Sequence, residues 1–273
     1  MSRPRASTRA LRLTAAIVVA ALLAACGATG GGEGVAESAR GISAPDILVQ
    51  PHHEVPTTSS APPEPLLPWQ VLVAVVRPEI TELETFDRPG GQLLDHEVTP
   101  VNPWHFGGEL ALLVEEGRET DEWLRVGIVT RPNGTTAWIR RSDVTIRTHR
   151  VHAEVSLGER MLRLWDADDL LVETPVVIGS AATPTPPGRF FVNARIEQGN
   201  PGGAYGPWIL SLSGFSEALE TFDGGLPELA IHGTNRPQYV GSARSNGCIR
   251  VENSVVEQLA ALTPLGTPVA IVP

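Results

Sequence analysis

The stretch AIHGTNRPQYVGSARSNGCIRVEN, residues 230–253, places a histidine and a cysteine in one glycine-containing segment. The apolar run at 229–231 predicts a short β-strand that delivers His232 at its end. Cys248 follows sixteen positions later, directly after Gly247. The residues between them are rich in Asn, Arg, Pro, Gly and Ser, which predicts a loop that folds back on itself. Such a loop would bring the imidazole of His232 within hydrogen-bond reach of the thiol.

This pair has the residue types that acyl transfer requires. A thiol of ordinary pKa is only a few per cent thiolate near neutrality, so it needs a base. A neighbouring imidazole can take the proton, and the resulting imidazolium stabilises the thiolate. Gly247 lets backbone approach a substrate carbonyl, and the N–H groups of Gly247 and Cys248 are candidates for an oxyanion hole. From the residues alone, a structural histidine and a small buried cysteine remain open alternatives.

The HGT and SNGCIR segments and the distance between them resemble the signature of the L,D-transpeptidase (YkuD-type) family. TPTPPGRFFV and AYGPWILSLSGFS lie upstream in the order of that family, so the resemblance covers 149–273. It implies a mainly β fold, a β-rich sandwich, and acyl transfer on peptidoglycan stem peptides. The resemblance makes Cys248 the nucleophile and His232 the general base and later the acid. It also implies acylation of the cysteine by carbapenems.

The residues around the nucleophile carry further expectations from the same resemblance. The family usually has Ser-His-Gly-Cys, whereas this chain has Asn246 in place of that histidine, and an amide cannot titrate. Ser245 either orients the cysteine loop or touches the substrate, and Gly233 belongs to the loop that follows the histidine. Arg250 stands at the arginine position of the family, where it either clamps a stem-peptide carboxylate or forms a structural ion pair.

Two aromatic residues upstream are ambiguous. Tyr205 and Trp208 either line the cleft or pack in the core, and Tyr205 is taken as a substrate-binding candidate. Near the end of the chain, Ser254 to Glu257 fits a capping box. Val255, Leu259 and Leu262 would then share one face of the only clear helix.

The N-terminus has the features of an export signal. Residues 1–25 combine an arginine-rich start with an apolar run, and LAACG at 23–27 resembles a bacterial lipobox. The resemblance implies that Cys26 is lipidated and anchors the chain to the outer side of a membrane. Residues 26–67 are rich in Gly, Pro, Ser, Thr and Glu, and are predicted to be a disordered tether.

Residues 68–148 have short β-type segments separated by turn residues. The run WLRVGIVTRPNGTTAWIRRSDV, starting at Trp123, resembles the closing strands of bacterial SH3-like domains. This resemblance implies a small β-barrel that precedes the catalytic domain at 149–273. An SH3-like barrel implies binding, and no catalytic constellation occurs in this part of the sequence.

Composition excludes some classes of protein. The formal net charge is −10 and all 21 basic residues are arginine, which argues against nucleic acid as a partner. No ligand types recur at metal-site spacing, so neither a metal nor a cofactor is expected. The remaining alternatives are an L,D-carboxypeptidase and a non-catalytic wall-binding lipoprotein. Papain-like peptidases carry Cys before His, and sortases have much wider His–Cys spacing. A monomer is expected.

Overall fold

A computed structural model describes residues 69–273, all of which belong to one compact unit. The predicted signal peptide at 1–25, the lipidated Cys26 and the tether at 26–67 lie outside the described residues. Within 69–273 no helix has the length and apolar character needed to cross a membrane.

The first part of the described chain is a five-stranded antiparallel sheet. Its strands are β1 (Val71–Val76), β2 (Ala111–Glu116), β3 (Trp123–Gly127), β4 (Thr136–Arg140) and β5 (Val144–His149). They are ordered β4-β3-β2-β1-β5 across the sheet. A 3-10 turn at Arg141–Asp143 connects β4 to β5. The strand predictions for this part are confirmed, whereas the SH3-like interpretation and the domain boundary at 148 stay predictions.

The second part contains an eight-stranded sheet and a separate two-stranded ladder. The strands are β6 (Val151–Ser156), β7 (Met161–Asp166), β8 (Asp169–Pro175), β9 (Ile178–Gly179), β10 (Gly188–Glu197), β11 (Trp208–Phe215), β12 (Glu228–His232), β13 (Ala243–Ser245), β14 (Ile249–Arg250) and β15 (Pro268–Val272). The large sheet has the order β14-β12-β11-β10-β15-β6-β7-β8, and β9 pairs with β13. Three pairs are parallel: β12 with β14, β6 with β15, and β9 with β13. The prediction of a mainly β fold is confirmed.

The helix α1 (Asn253–Leu262) begins differently from the prediction. The capping box predicted at Ser254 is wrong, because the N-cap residue is Glu252 and no side chain caps the helix. Ser254 therefore lies inside the first turn. The Asn253 side chain instead binds the loop after β12, where its Oδ1 accepts the N–H of Thr234 at 2.8 Å.

The buried face of α1 also differs in part. Val256, Leu259 and Ala260 are its buried residues, at the i, i+3, i+4 spacing of a helix that packs one face. The predicted face is therefore correct at Leu259 only. Val255 is partly buried, and the Leu262 side chain is 40% exposed.

The strand β10 contributes to both hydrophobic cores of the described chain. Phe190 and Val192 pack in the core of the second part. Phe191 and Ala194 pack in the cluster formed mainly by the first sheet, and Phe215 of β11 joins them there. Successive side chains of a strand point to opposite faces, which separates Phe191 from Phe190 and Val192, and a register shift between Val192 and Ala194 turns Ala194 to the face of Phe191. The two parts of the chain are therefore joined by shared apolar packing.

Candidate active site

One cleft of the second part contains both residues of the predicted dyad. The cleft is lined by Ala204, Tyr205, Ser216, Leu219, Phe222, Pro227, Glu228, Leu229, His232, Asn246, Cys248 and Arg250. The strand β12 ends at His232, as the sequence predicts, and β14 begins one residue after Cys248. The parallel register pairs His232 with Arg250, so β12 and the cysteine loop run side by side.

His232 is buried, and a hydrogen bond fixes its imidazole. Nδ1 donates to the carbonyl oxygen of Gly233 at 2.6 Å, which leaves Nε2 as the unprotonated nitrogen. The ring of Tyr205 packs edge-on against the imidazole, with centroids 5.0 Å apart. The pKa of His232 is lowered to about 4, chiefly by burial, with the hydrogen bond to Gly233 opposing the shift and the positive charge of Arg250 adding to it. The imidazole is therefore neutral at physiological pH and can act as a base.

Cys248 is free and half-buried, and its thiol lies against β12. Sγ approaches the carbonyl oxygen of Glu228 at 3.7 Å. Burial raises the pKa of the Cys248 thiol, with the Glu228 charge adding to it, while the backbone of Ala230 and the charge of Arg250 oppose the shift. These directions favour a neutral thiol beside a neutral imidazole. The imidazolium–thiolate pair expected from the sequence is not favoured in the free protein.

Side-chain hydroxyls hold the loop that carries the nucleophile. Ser245 Oγ donates to the Cys248 carbonyl at 2.5 Å and accepts the Gly247 N–H at 3.1 Å. Thr185 Oγ1 donates to the Gly247 carbonyl at 2.7 Å and accepts the Gly179 N–H at 2.8 Å. The hydrogen bond from the Gly247 N–H to Ser245 Oγ occupies a donor that was a candidate for the oxyanion hole. The geometry thus supports loop positioning by Ser245, and it leaves the Cys248 N–H as the candidate oxyanion donor.

Two positions near the dyad require glycine. Gly247 has φ +120°, a conformation that residues with a Cβ rarely adopt. A Cβ on Gly233 would lie 2.9 Å from the Gly206 Cα and 2.4 Å from the Asn253 Oδ1. Glycine at 233 therefore allows the close approach of these backbones beside the carbonyl that accepts the His232 Nδ1–H.

Arg250 lines the cleft, and the described residues offer it no counter-ion. No carboxylate of 69–273 lies within 4.0 Å of its guanidinium, whereas eleven such ion pairs involve other arginines. Its Nε is buried without a hydrogen-bond partner. The structural ion pair considered for this residue is therefore absent, which favours a role in binding a carboxylate of the substrate.

The remaining candidates separate into cleft and core residues. Tyr205 and Asn246 line the cleft, and both are exposed. Trp208 packs against the core of the second part. His152 stacks on Trp165 with centroids 5.2 Å apart, outside the cleft. Among residues 69–273 no group of three His, Cys, Asp or Glu side chains could hold a metal ion.

The sequence does not predict a role at the site for three residues: Thr185, Glu228 and Asn133. Glu228 lies four residues before His232 in the same strand, so extending the predicted strand by one residue would have included it. Thr185 lies in the quoted TPTPPGRFFV segment, but nothing there indicates its bond to the cysteine loop. Asn133 belongs to the turn between β3 and β4, far from the dyad in sequence.

Asn133 connects one wall of the cleft to the first sheet through hydrogen bonds. Its Nδ2 donates to the Phe215 carbonyl at 2.9 Å, and its Oδ1 accepts the Phe215 N–H at 2.8 Å. Nδ2 also lies 3.3 Å from Glu217 Oε1. The Asn133 side chain thus pairs with both backbone groups of Phe215 at the end of β11, as a residue of a neighbouring strand would. Cleft residues Ser216 and Leu219 follow immediately in the chain.

Replacing Asn133 with alanine should destabilise the protein and loosen this wall. The substitution leaves a backbone N–H and a carbonyl without their partners, at about 1–3 kcal/mol each. We expect the midpoint of thermal unfolding to fall by roughly 5–10 °C. Thr135→Ala is the matched control, since Thr135 bonds within the same turn to Pro132 and should shift the midpoint by no more than about 2 °C. Equal midpoints for the two variants would contradict the role of Asn133.

The fold and cleft define a class of protein: a mainly β domain with a thiol, an oriented imidazole and an unpaired arginine, which suits acyl transfer. Residues 150–271 match the family model of the L,D-transpeptidase catalytic domain, YkuD. A Bacillus licheniformis protein that carries the name L,D-transpeptidase YkuD is 42% identical over 119 residues, covering 44% of this chain and 64% of that protein. Its Bacillus subtilis counterpart is 38% identical over 120 residues, covering 44% of this chain and 65% of the relative.

Residues 150–271 are thus similar to YkuD-type L,D-transpeptidase catalytic domains. The chain spans just under two thirds of the length of both Bacillus relatives. Among solved structures, an Enterococcus faecium L,D-transpeptidase with a cysteine-to-serine mutation is 25% identical, with a TM-score of 0.34. That similarity covers 44% of this chain and 49% of the other.

Proposed function

We propose that the protein is a peptidoglycan L,D-transpeptidase in which Cys248 is the nucleophile and His232 its base. The observation that carries the proposal is the meeting of these two side chains in one cleft, with Nδ1 of His232 bonded to the Gly233 carbonyl. This bond orients the basic Nε2 for proton transfer. The catalytic-domain match at 150–271 supports the reaction class.

In the first half-reaction a stem tetrapeptide acylates the cysteine. Nε2 of His232 takes the thiol proton while Sγ attacks the carbonyl carbon at the L-centre of the donor stem. The peptide bond to the terminal D-Ala breaks, and the leaving amine takes the proton from the imidazolium. The products are free D-Ala and a thioester on Cys248. Because thiol and imidazole are both neutral at rest, proton transfer and attack are coupled.

In the second half-reaction the acyl group passes to an amine of a second stem. The amine nitrogen attacks the thioester carbonyl, the C–S bond breaks, and the thiolate is reprotonated through His232. Arg250 is well placed to hold a carboxylate of the bound stem, since its guanidinium lines the cleft and has no carboxylate partner within 4.0 Å in the described chain. Its charge also lowers the pKa of the thiol and so assists thiolate formation.

The proposal extends to the cellular setting. Lipidation at Cys26 would hold the enzyme on the outer face of the cell membrane, and the tether at 26–67 would let it reach the wall. The SH3-like interpretation of the first sheet assigns that part a binding role toward wall components. Its shared core with β10 adds a structural role, because Phe191 and Ala194 are buried against it.

The test is turnover of a disaccharide-tetrapeptide by the purified full chain, with products identified by mass. The expected products are D-Ala and a cross-linked dimer of stems. Release of D-Ala with tripeptide alone would indicate an L,D-carboxypeptidase, in which water is the acceptor. Binding without turnover would indicate a non-catalytic wall-binding lipoprotein, and either result would overturn the transpeptidase proposal.

Asn246→His restores the residue usual in the family and should change the rate of D-Ala release by less than about threefold. The Asn246 side chain is exposed at the cleft, while the imidazole of His232, at the end of the neighbouring strand β12, is fixed by the Gly233 carbonyl. A positioned acid–base group contributes about 10²–10⁴-fold to a rate. A gain of tenfold or more would therefore show that the site lacks a proton-transferring group in its present form. Asn246→Ala serves as the control for loss of the amide.

A further inference from the structure

The cleft contains a carboxyl group that the chemistry described above does not use. Glu228 and His232 lie on the same side of β12, because Leu229 and Ile231 between them point into the core. The two Cα atoms are roughly 13 Å apart along the strand at about 3.3 Å per residue. The thiol of Cys248 lies between them, since Sγ approaches the Glu228 carbonyl and also interacts with the backbone of Ala230.

The Glu228 side chain has a neutral partner and no counter-ion. Its Oε2 accepts a hydrogen bond from Ser211 Oγ at 3.2 Å. No arginine or histidine nitrogen within 69–273 lies within 4.0 Å of it. Burial raises the pKa of this carboxyl, opposed by the Ser211 bond. A half-buried carboxylate without a cation is costly, and a cationic ligand would remove that cost.

The cleft therefore contains one positive and one negative side chain near the nucleophile, neither of which has a counter-ion in the described chain. Arg250 supplies an unpaired positive charge, and Glu228 supplies an unpaired negative charge, and both influence the pKa of the Cys248 thiol. The two substrates of a transpeptidase differ in the same way. The donor stem ends in a carboxylate, whereas the acceptor presents a primary amine that is an ammonium ion near neutral pH.

We propose that Glu228 forms the acceptor subsite, where its carboxylate binds the primary ammonium group of the second stem peptide and takes one of its protons. This inference rests on the proposed transpeptidase function and assigns a residue to its second half-reaction. The ligand class is a primary alkylammonium on a peptide.

The proton balance of aminolysis requires such a group. An ammonium ion has no lone pair, so one proton must leave before the nitrogen can attack the thioester carbonyl. Glu228 takes this proton, the C–N bond forms, and the C–S bond breaks. The nitrogen then loses a second proton, which His232 passes to the departing thiolate. The amide, the free thiol and one proton released from Glu228 to solvent account for all atoms and charges.

A carboxylate with a raised proton affinity suits this step better than an exposed one. His232 remains neutral down to about pH 4, so its imidazole is a weak base for an ammonium ion. Glu228 shares the strand face of His232 and lines the same cleft as Cys248. Two bases with different environments in one cleft can serve the acylation step and the aminolysis step separately.

The experiment measures partition of the acyl-enzyme in Glu228→Gln. Glutamine keeps an oxygen that can accept the Ser211 hydrogen bond, so the local structure is preserved while the charge is lost. With the disaccharide-tetrapeptide as donor and acceptor, the ratio of dimer to tripeptide should fall at least about tenfold, the size of one charge-assisted hydrogen bond. Acylation of Cys248 by a carbapenem, measured by intact mass, should slow by no more than about threefold. Glu220→Gln is the matched control, because the Glu220 side chain is 98% exposed.

A second acceptor distinguishes loss of ammonium binding by Glu228 from a general loss of activity of the site. Hydroxylamine is uncharged at neutral pH, so its attack on the thioester should be slowed far less in Glu228→Gln than attack by the stem amine. An unchanged dimer-to-tripeptide ratio, or equal slowing with both amines, would overturn the role of Glu228. A wild-type chain that is acylated but forms no dimer would also overturn it. Absence of any acylation at Cys248 in the wild type would instead refute the proposed function itself.

Discussion

Cys248→Ala should abolish acylation by a carbapenem and lower D-Ala release from a disaccharide-tetrapeptide by at least about 10³-fold. Loss of the nucleophile removes the covalent route entirely, and only binding and electrostatic stabilisation of the direct reaction remain. Intact mass of the full chain should show one adduct on the wild type and none on the variant. The rate of D-Ala release gives the size of the effect independently.

The control for this substitution is Cys26→Ser, since Cys26 and Cys248 are the two cysteines of the sequence. This variant should keep the adduct at Cys248 and the wild-type rate of acylation. The fold should survive Cys248→Ala, because the thiol contributes only a long contact of 3.7 Å to the Glu228 carbonyl. An equal adduct on wild type and Cys248→Ala, with both folded, would contradict the assignment of the nucleophile.

The meeting of His232 and Cys248 in one cleft could be predicted from the sequence because its determinants are local. The strand before His232, the glycine after it and the polar loop leading to Cys248 all lie within about two dozen residues. Strand ends and glycine turns are decided by neighbouring residues, so the pattern indicates the geometry directly. The mainly β fold followed from the same kind of evidence, the short alternating segments between turn residues.

Electrostatics at the dyad could not be predicted in the same way. The sequence indicates a thiol near an imidazole and suggests an ion pair, as in a solvent-exposed site. Burial of both groups reverses this expectation, since it lowers the pKa of His232 and raises that of Cys248. Burial depends on what the rest of the chain places over the site, including Tyr205 from the loop before β11.

Contacts between segments that are far apart in the chain could not be predicted from local sequence patterns. Asn133 binds the backbone of Phe215 across 82 positions, and Thr185 binds that of Gly247 across 62. A turn sequence such as that around Asn133 predicts a hairpin and says nothing about what the exposed amide will meet. The shared core around β10 is a further case, because Phe190 and Phe191 appear in sequence as one apolar pair although they pack in separate clusters.

Glu228 differs from these cases, because the sequence contained a usable signal. The residues from Glu228 to His232 alternate polar or small with large apolar side chains, the pattern of a strand with one face on the core. Extending the strand by one residue would have placed a carboxylate and an imidazole on the same face. The apolar run at 229–231 alone predicts a strand that begins at Leu229, which excludes the carboxylate from the site.

His232→Ala should reduce kcat/KM for D-Ala release by about 10²–10⁴-fold at neutral pH, the usual contribution of a positioned base. The pH profile should change as well. In the wild type the imidazole stays neutral until the pH falls to about 4, so the acid limb of the profile should lie near pH 4 and not at the ordinary 6.5. In the variant, thiolate must form without a base, so the rate should rise about tenfold per pH unit up to the raised pKa of the Cys248 thiol.

The matched control is His152→Ala, since His152 lies in the same part of the chain but stacks on Trp165 outside the cleft. It should keep the wild-type rate and profile. An acid limb at 6.5 or above in the wild type would show that the imidazole keeps its ordinary pKa, against the effect of its burial. A His232→Ala rate within tenfold of wild type, with the same limb, would remove His232 as the base. Because Glu228 lines the same cleft, the double variant His232→Ala, Glu228→Gln would then show whether that carboxylate accepts the thiol proton instead.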